Sequence, residues 1–264
     1  MLIRRLFSSI VLIFITVLSL KFGWLLALIV TSLIIGALFE FFNMVEKKGI
    51  YIYKYFGIFV GAVIPLSIYF KFELTKGWEL LFVVSLLTIL FLLQFMRRTN
   101  TDAIAGISVT LFGILYISWF FSFVIKVNFL PLGTKLLASL ILITKSGDIG
   151  AYLVGTRWGK HALIPRISPK KSTEGTLGGI MFSILAAMAA GAFLPFSYLH
   201  LVGLGAFLGV IGQFGDLSES LIKRDCQVKD SGNLFPGLGG VLDLLDSLLF
   251  TAPAFYFYMS IILK

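Results

Sequence analysis

The chain has 264 residues, of which 58% are hydrophobic and only 13% charged, with a formal net charge of +9 and a mean hydropathy of +0.99. Soluble globular domains carry about 25% charged residues, so this composition excludes one. Several apolar runs approach the roughly 20 residues a helix needs to cross hydrocarbon, which predicts an integral membrane protein built from helices; a β-barrel would show short alternating segments instead.

In chain order the apolar runs predict nine spans, near 6–20, 25–45, 53–70, 80–96, 103–125, 134–155, 176–196, 199–222 and 241–262. The expected fold is an all-α polytopic bundle of about nine transmembrane helices. The first run follows Arg4 and Arg5 as a signal peptide would, but no small-residue cleavage site follows it, so it reads as a retained helix. With a cytoplasmic N-terminus, one side receives Arg4, Arg5, Lys47, Lys48, Lys54, Arg97, Arg98, the 156–175 loop and the region from Lys223 to Lys229. Together these hold fifteen of the twenty-two basic residues. The positive-inside rule then favours this orientation, in an inner (cytoplasmic) membrane. Topology and attraction to anionic lipid account for Lys47, Lys48, Arg97 and Arg98. The single cysteine, Cys226, permits no internal disulfide and is assigned no role.

No linker or repeat divides the chain, which reads as one continuous membrane domain. Residues 1–133 supply ordinary membrane helices, and residues 134–264 form the region where chemistry is expected. The first polar group there is "TKSGDIGAYLVGTRWGKH", with Lys145 and Asp148 three residues apart on one helix face. Ionisable residues inside a span mark function by default, although this pair also neutralises itself. Next comes the loop "RISPKKSTEGTLGG", where Ser168-Pro169 is a turn signal and Lys170 and Lys171 lie beside a helix N-terminus, a good setting for phosphate. Further on, "GQFGDLSESLIKRDCQVKDSG" places Asp216, Glu219, Lys223 and Arg224 towards the cytoplasmic end of a span, followed by Lys229 and Asp230. Finally "PGLGGVLDLLDS" puts Gly239 and Gly240 at the start of a helix with Asp243 and Asp246 on one face. Two buried carboxylates repel and need a cation, and Mg²⁺ bound by carboxylates and substrate phosphates fits that demand, with Asp216 as a third ligand. The alternative is an ion-coupled transporter that uses Asp148, Asp216, Asp243 and Asp246 as a membrane relay.

The run "SLIKRDCQVKDSGNLFPGLGGVLDLLDS" resembles the signature of the phosphatidate cytidylyltransferases. Ser220, Lys223, Arg224, Lys229, Asp230, Pro236, Gly239, Gly240, Asp243, Asp246 and Ser247 match it. Leu238 stands where that signature has histidine, and Leu244 where it has arginine. A second family segment is matched upstream by Asp148, Ala151, Tyr152, Gly155, Gly159, Lys160, Ser168, Pro169, Lys170, Lys171, Glu174 and Gly175. The resemblance implies Mg²⁺-dependent condensation of CTP with phosphatidic acid to CDP-diacylglycerol and pyrophosphate, on the cytoplasmic side of the membrane. The residues expected to act are Asp148, Lys170, Lys171, Lys223, Arg224, Lys229 and Asp230. Substrate binding falls to Ser168, Lys170, Lys171, Lys223, Arg224, Gly239 and Gly240, and the metal shell to Asp216, Asp243 and Asp246, with room for a second cation. CTP, phosphatidic acid and membrane lipids are the expected partners, with no nucleic acid; a homo-oligomer is compatible with the sequence. Another lipid phosphate, such as an archaeal ether lipid, is the close alternative substrate.

Overall fold

The computed structural model describes residues 11, 14–72, 77–234 and 239–263. Its main helices are α1 (Gly23–Glu46), α2 (Lys54–Tyr69), α3 (Trp78–Phe95), α4 (Ala103–Asn128), α5 (Gly133–Trp158), α6 (Thr173–Ala190), α7 (Tyr198–Asp225) and α8 (Val241–Ile262). Eight of the expected spans thus meet one of these helices; of the first, 6–20, residues 6–10, 12 and 13 lie outside the described residues and 14–19 are helical. Seven of these helices are long and apolar enough to cross a membrane, as in an integral membrane protein; α2, at 16 residues, is shorter. Hydroxyl groups inside the spans bond back to their own helices, as Thr31 does to the Ala27 carbonyl at 2.7 Å and Thr251 to that of Ser247 at 3.0 Å. Lipid offers no water to satisfy them otherwise.

The all-α expectation needs one correction. The 156–175 segment folds into an antiparallel hairpin of β1 (Ala162–Ile164) and β2 (Ser168–Ser172), with Ala162 opposite Ser172 and Ile164 opposite Ser168. The chain reverses here between two neighbouring antiparallel helices, and pairing across the turn satisfies backbone groups that neither helix can reach. Glu174 fixes the base of the hairpin by accepting from the Lys160 and His161 backbones at 3.0 and 3.3 Å. Ser172 caps α6 through the Gly175 N–H at 3.1 Å.

The main apolar core joins α1, α4, α5, α6, α7 and α8, and a smaller one joins α2 and α3 to α4. Small residues let helices 5 to 8 approach closely, as membrane packing requires. A Cβ on Gly205 of α7 would sit 2.6 Å from the Ile184 Cα of α6, and one on Gly215 would sit 2.6 Å from the Asp246 carbonyl of α8. The second contact draws Asp216 towards Asp246. α4 contains a π-helical stretch, Ile114–Trp119, a feature that often accompanies functional sites.

Candidate active site

The site is assembled around the first two turns of α8, whose leading N–H groups have no partner within the helix. Glu40, a buried carboxylate from α1, supplies one: Oε1 accepts from the Val241 N–H and Oε2 from the Leu242 N–H, both at 3.0 Å. Asp243 turns back to accept from the Gly240 N–H at 2.8 Å and the Ser231 N–H at 3.1 Å. The Ser231 hydroxyl lies 3.0 Å from Glu40 Oε2 and 2.9 Å from Asp243 Oδ2. Both signature glycines make room for these carboxylates. Gly239 has φ +101°, and a Cβ on Gly240 would lie 2.4 Å from Glu40 Oε2.

One turn further, Asp246 meets Asp216 and Glu219 of α7, with one carboxylate oxygen from each lying within 4.8 Å of the others. Lys171 at the end of β2 pairs with Asp216 at 2.7 Å. Lys223 lies 2.5 Å from Glu219 Oε2 and 2.6 Å from Asp243 Oδ1. Glu219 is fully buried, and its Oε1 has no partner among the described residues. Tyr116, in the π-helical stretch, has a buried hydroxyl that also lacks a partner among the described residues, and the negative charges acting on it are those of Glu219, Asp246 and Asp216. Its ring is stacked on Phe112 with centroids 5.2 Å apart. On the other flank Lys145 lies 2.9 Å from Asp148 Oδ2, 3.1 Å from the Ser247 hydroxyl and 3.1 Å from the Leu244 carbonyl. Ser247 donates in turn to Asp148 at 2.9 Å.

The expected metal shell is therefore only partly brought together. Asp216 and Asp246 converge, but both oxygens of Asp243 are engaged by Lys223, Ser231 and Gly240, and Glu219 stands in its place. Lys171 and Lys223 border the cluster, and Asp148 approaches it through Ser247. Lys170, Lys229 and Asp230 are exposed and make no ion pair among the described residues. Arg224 donates to the Ile167 and Val228 carbonyls at 3.2 and 3.3 Å, tying the hairpin to the end of α7. Ser168 opens β2. Pro236 and Leu238 lie outside the described residues. Glu40, Tyr116 and Ser231 match no motif position of the sequence, and Glu219 and Lys145 are site residues beyond the expected set. Glu40 had a usable signal, being a carboxylate within an apolar span; Tyr116 and Ser231 had none.

The model of the cytidylyltransferase family matches residues 3–262. The phosphatidate cytidylyltransferase of Bacillus subtilis (strain 168) is 34% identical over 228 residues, 85% of either chain. That of Synechocystis is 32% identical over 270 aligned residues, covering 91% of this chain and 90% of the relative. That of Staphylococcus aureus (strain COL) is 46% identical over 114 residues, 42% of this chain and 44% of its own. With the match running through every helix that builds the acid cluster, the chain belongs to the cytidylyltransferase family.

Proposed function

We propose that this membrane protein condenses CTP with phosphatidic acid to give CDP-diacylglycerol and pyrophosphate. The observation that carries the reading is the cluster of Asp216, Glu219 and Asp246. Three carboxylates this close repel one another, and Glu219 keeps an oxygen without a partner, so the group fits a hard divalent cation bound by oxygen. Mg²⁺ held by these three side chains would draw charge from the phosphoryl oxygens of a bound nucleotide.

An oxygen of the lipid phosphate attacks the α-phosphorus of CTP; the bond to the β-phosphate oxygen breaks, and pyrophosphate leaves with its electron pair. The attacking oxygen is already ionised at neutral pH, so positioning and charge neutralisation carry the rate rather than a general base. Lys171 and Lys223, fixed by Asp216, Glu219 and Asp243, offer ammonium groups to the triphosphate, and Lys170 extends that charge to the exposed rim. Asp243 serves as the counter-charge of Lys223 and as a cap of α8. Gly239 and Gly240 serve substrate binding indirectly, giving room to the Asp243 and Glu40 carboxylates that hold the start of α8. Ser168 and Arg224 hold the hairpin that presents Lys170 and Lys171, and Lys229 and Asp230 close over the nucleotide. The distribution of basic residues supports a bundle of about nine spans with its N-terminus and this site facing the cytoplasm.

The test is transfer of labelled CMP from CTP to phosphatidic acid by the purified protein, with an ether-linked lipid phosphate in competition and Asp246→Asn as control. Mg²⁺-dependent product with phosphatidic acid, lost in Asp246→Asn, is the expected result. No transfer to any lipid phosphate overturns the function, and an active Asp246→Asn overturns the metal assignment.

A further inference from the structure

Lys145 is a cation inside a membrane-spanning helix that the reaction as described leaves unused. Its three N–H donors face three oxygens of different kinds: the Asp148 carboxylate at 2.9 Å, the Ser247 hydroxyl at 3.1 Å and the Leu244 carbonyl at 3.1 Å. These are the donor types that a hard metal ion collects. Two of them lie on the turn of α8 that carries Asp246, and the negative charges acting on the ammonium are those of Asp148, Asp246 and Asp216. Leu244 stands where the family signature has arginine, so the positive charge reaches this turn of α8 from α5 instead.

Charge balance points the same way. Apart from Glu40, whose charge the N–H groups at the start of α8 take up, five carboxylates gather here, from Asp148, Asp216, Glu219, Asp243 and Asp246, against the three ammonium groups of Lys145, Lys171 and Lys223. Two negative charges remain, which one divalent cation neutralises. Without Lys145 three would remain, and a single divalent ion would leave one half-buried charge uncompensated before substrate binds.

We infer that Lys145 is the built-in second cation of the site, occupying an oxygen cage that a metal ion would otherwise need, so that each chain takes up one divalent ion. This rests on the reading of the acid cluster as a divalent-cation site. The ammonium fixes Asp148, Ser247 and the Leu244 backbone, and through them the direction in which Asp246 faces Asp216 and Glu219. Lys145 is thus a positioning residue whose charge sets metal stoichiometry.

The experiment titrates Mn²⁺ into purified wild type, Lys145→Arg, Lys145→Met and Lys145→Gln in detergent, in buffer free of Na⁺ and K⁺, reading free ion by electron paramagnetic resonance. Wild type and Lys145→Arg bind one Mn²⁺ per chain. The two uncharged variants bind a second, weaker ion; their turnover falls about 100-fold at limiting Mg²⁺ and partly recovers, with a steeper Mg²⁺ dependence, at high concentration. Glutamine keeps the length and polarity of the side chain, so a folding defect confined to methionine does not decide the outcome. Two Mn²⁺ in wild type, or one at unchanged affinity in the uncharged variants, overturns the inference alone. Wild type that binds no Mn²⁺ overturns it together with the divalent-site reading.

Discussion

Glu40 is the residue at which a single substitution far along the chain should reach the chemistry. Its carboxylate takes the Val241 and Leu242 N–H groups and lies beside the Ser231 hydroxyl, all at 3.0 Å, in a site where water does not replace it. Glu40→Ala leaves two helix N–H groups without an acceptor and removes a negative charge from the positive end of α8. Each buried donor stranded from a charged partner costs about 1–3 kcal/mol, and the lost charge at a helix N-terminus a further ~0.3–1 kcal/mol. Allowing for local relaxation, the loss is about 3 kcal/mol, or roughly 6–12 °C in Tm at about 2–4 °C per kcal/mol for a chain of this size. Turnover should fall further than stability, because α8 carries Asp246 and a displacement of about 1 Å can cost roughly 100-fold in rate. Glu40→Gln, which keeps one acceptor oxygen, should fall between. Thermal melting in detergent and CMP transfer measured on the same preparations decide it. A Glu40→Ala protein that melts with wild type and turns over normally would refute the view that this cap positions the site.

Two other substitutions separate the site from its scaffold. Glu219→Gln removes a fully buried charge with one unpartnered oxygen, while Lys223 keeps Asp243 as its partner. Mn²⁺ affinity should weaken about 10-fold or more, yet the metal-free protein should melt at the same or a higher temperature, since without a cation the clustered carboxylates of Asp216, Glu219 and Asp246 repel one another; a lower Tm with unchanged affinity would make Glu219 structural. Lys48→Ala breaks only a surface ion pair to Asp225 at 2.6 Å, in which the aspartate side chain is 69% exposed. Such pairs contribute about 0–1 kcal/mol, so melting and turnover should stay near wild type, and a large loss of either would contradict that estimate.

Much of this was legible in the sequence. Apolar runs located the eight spans that meet a helix, because a backbone in lipid must satisfy itself and long apolar helices do so. The carboxylate roles were harder. Asp243 and Asp246 share a face and look equivalent, but Asp243 lies three residues past the glycine that starts α8, where a carboxylate turns back to free N–H groups. The helix start was in view, so this assignment was available from the pattern. Glu40 was visible as a charge within an apolar span, but its partners stand 191 to 202 positions away, and no local pattern encodes that distance. The hairpin between α5 and α6 escaped for a related reason: its strands are three and five residues long and carry no alternating apolar pattern.

The distribution of satisfied and unsatisfied polar atoms separates holding from reacting. In a lipid-facing bundle an unpaired buried polar group is expensive, and most of the network avoids that cost through partners on other elements: Glu40 with α8, Asp243 with Lys223 of α7, Asp148 with Ser247 of α8. Each of these contacts fixes one element against another, which is the work of a scaffold. Glu219 Oε1 and the Tyr116 hydroxyl break the pattern from α7 and α4 under the charges of one acid cluster, as Arg97 Nη1, over the Tyr51 ring, does elsewhere. A buried polar atom left unpaired is costly unless something else completes it, and clustered carboxylates accept a cation with its phosphate ligands. The N-terminal helices therefore belong to the site: α1 caps the helix that carries Asp246, and α4 holds a phenol hydroxyl under the charges of its carboxylates.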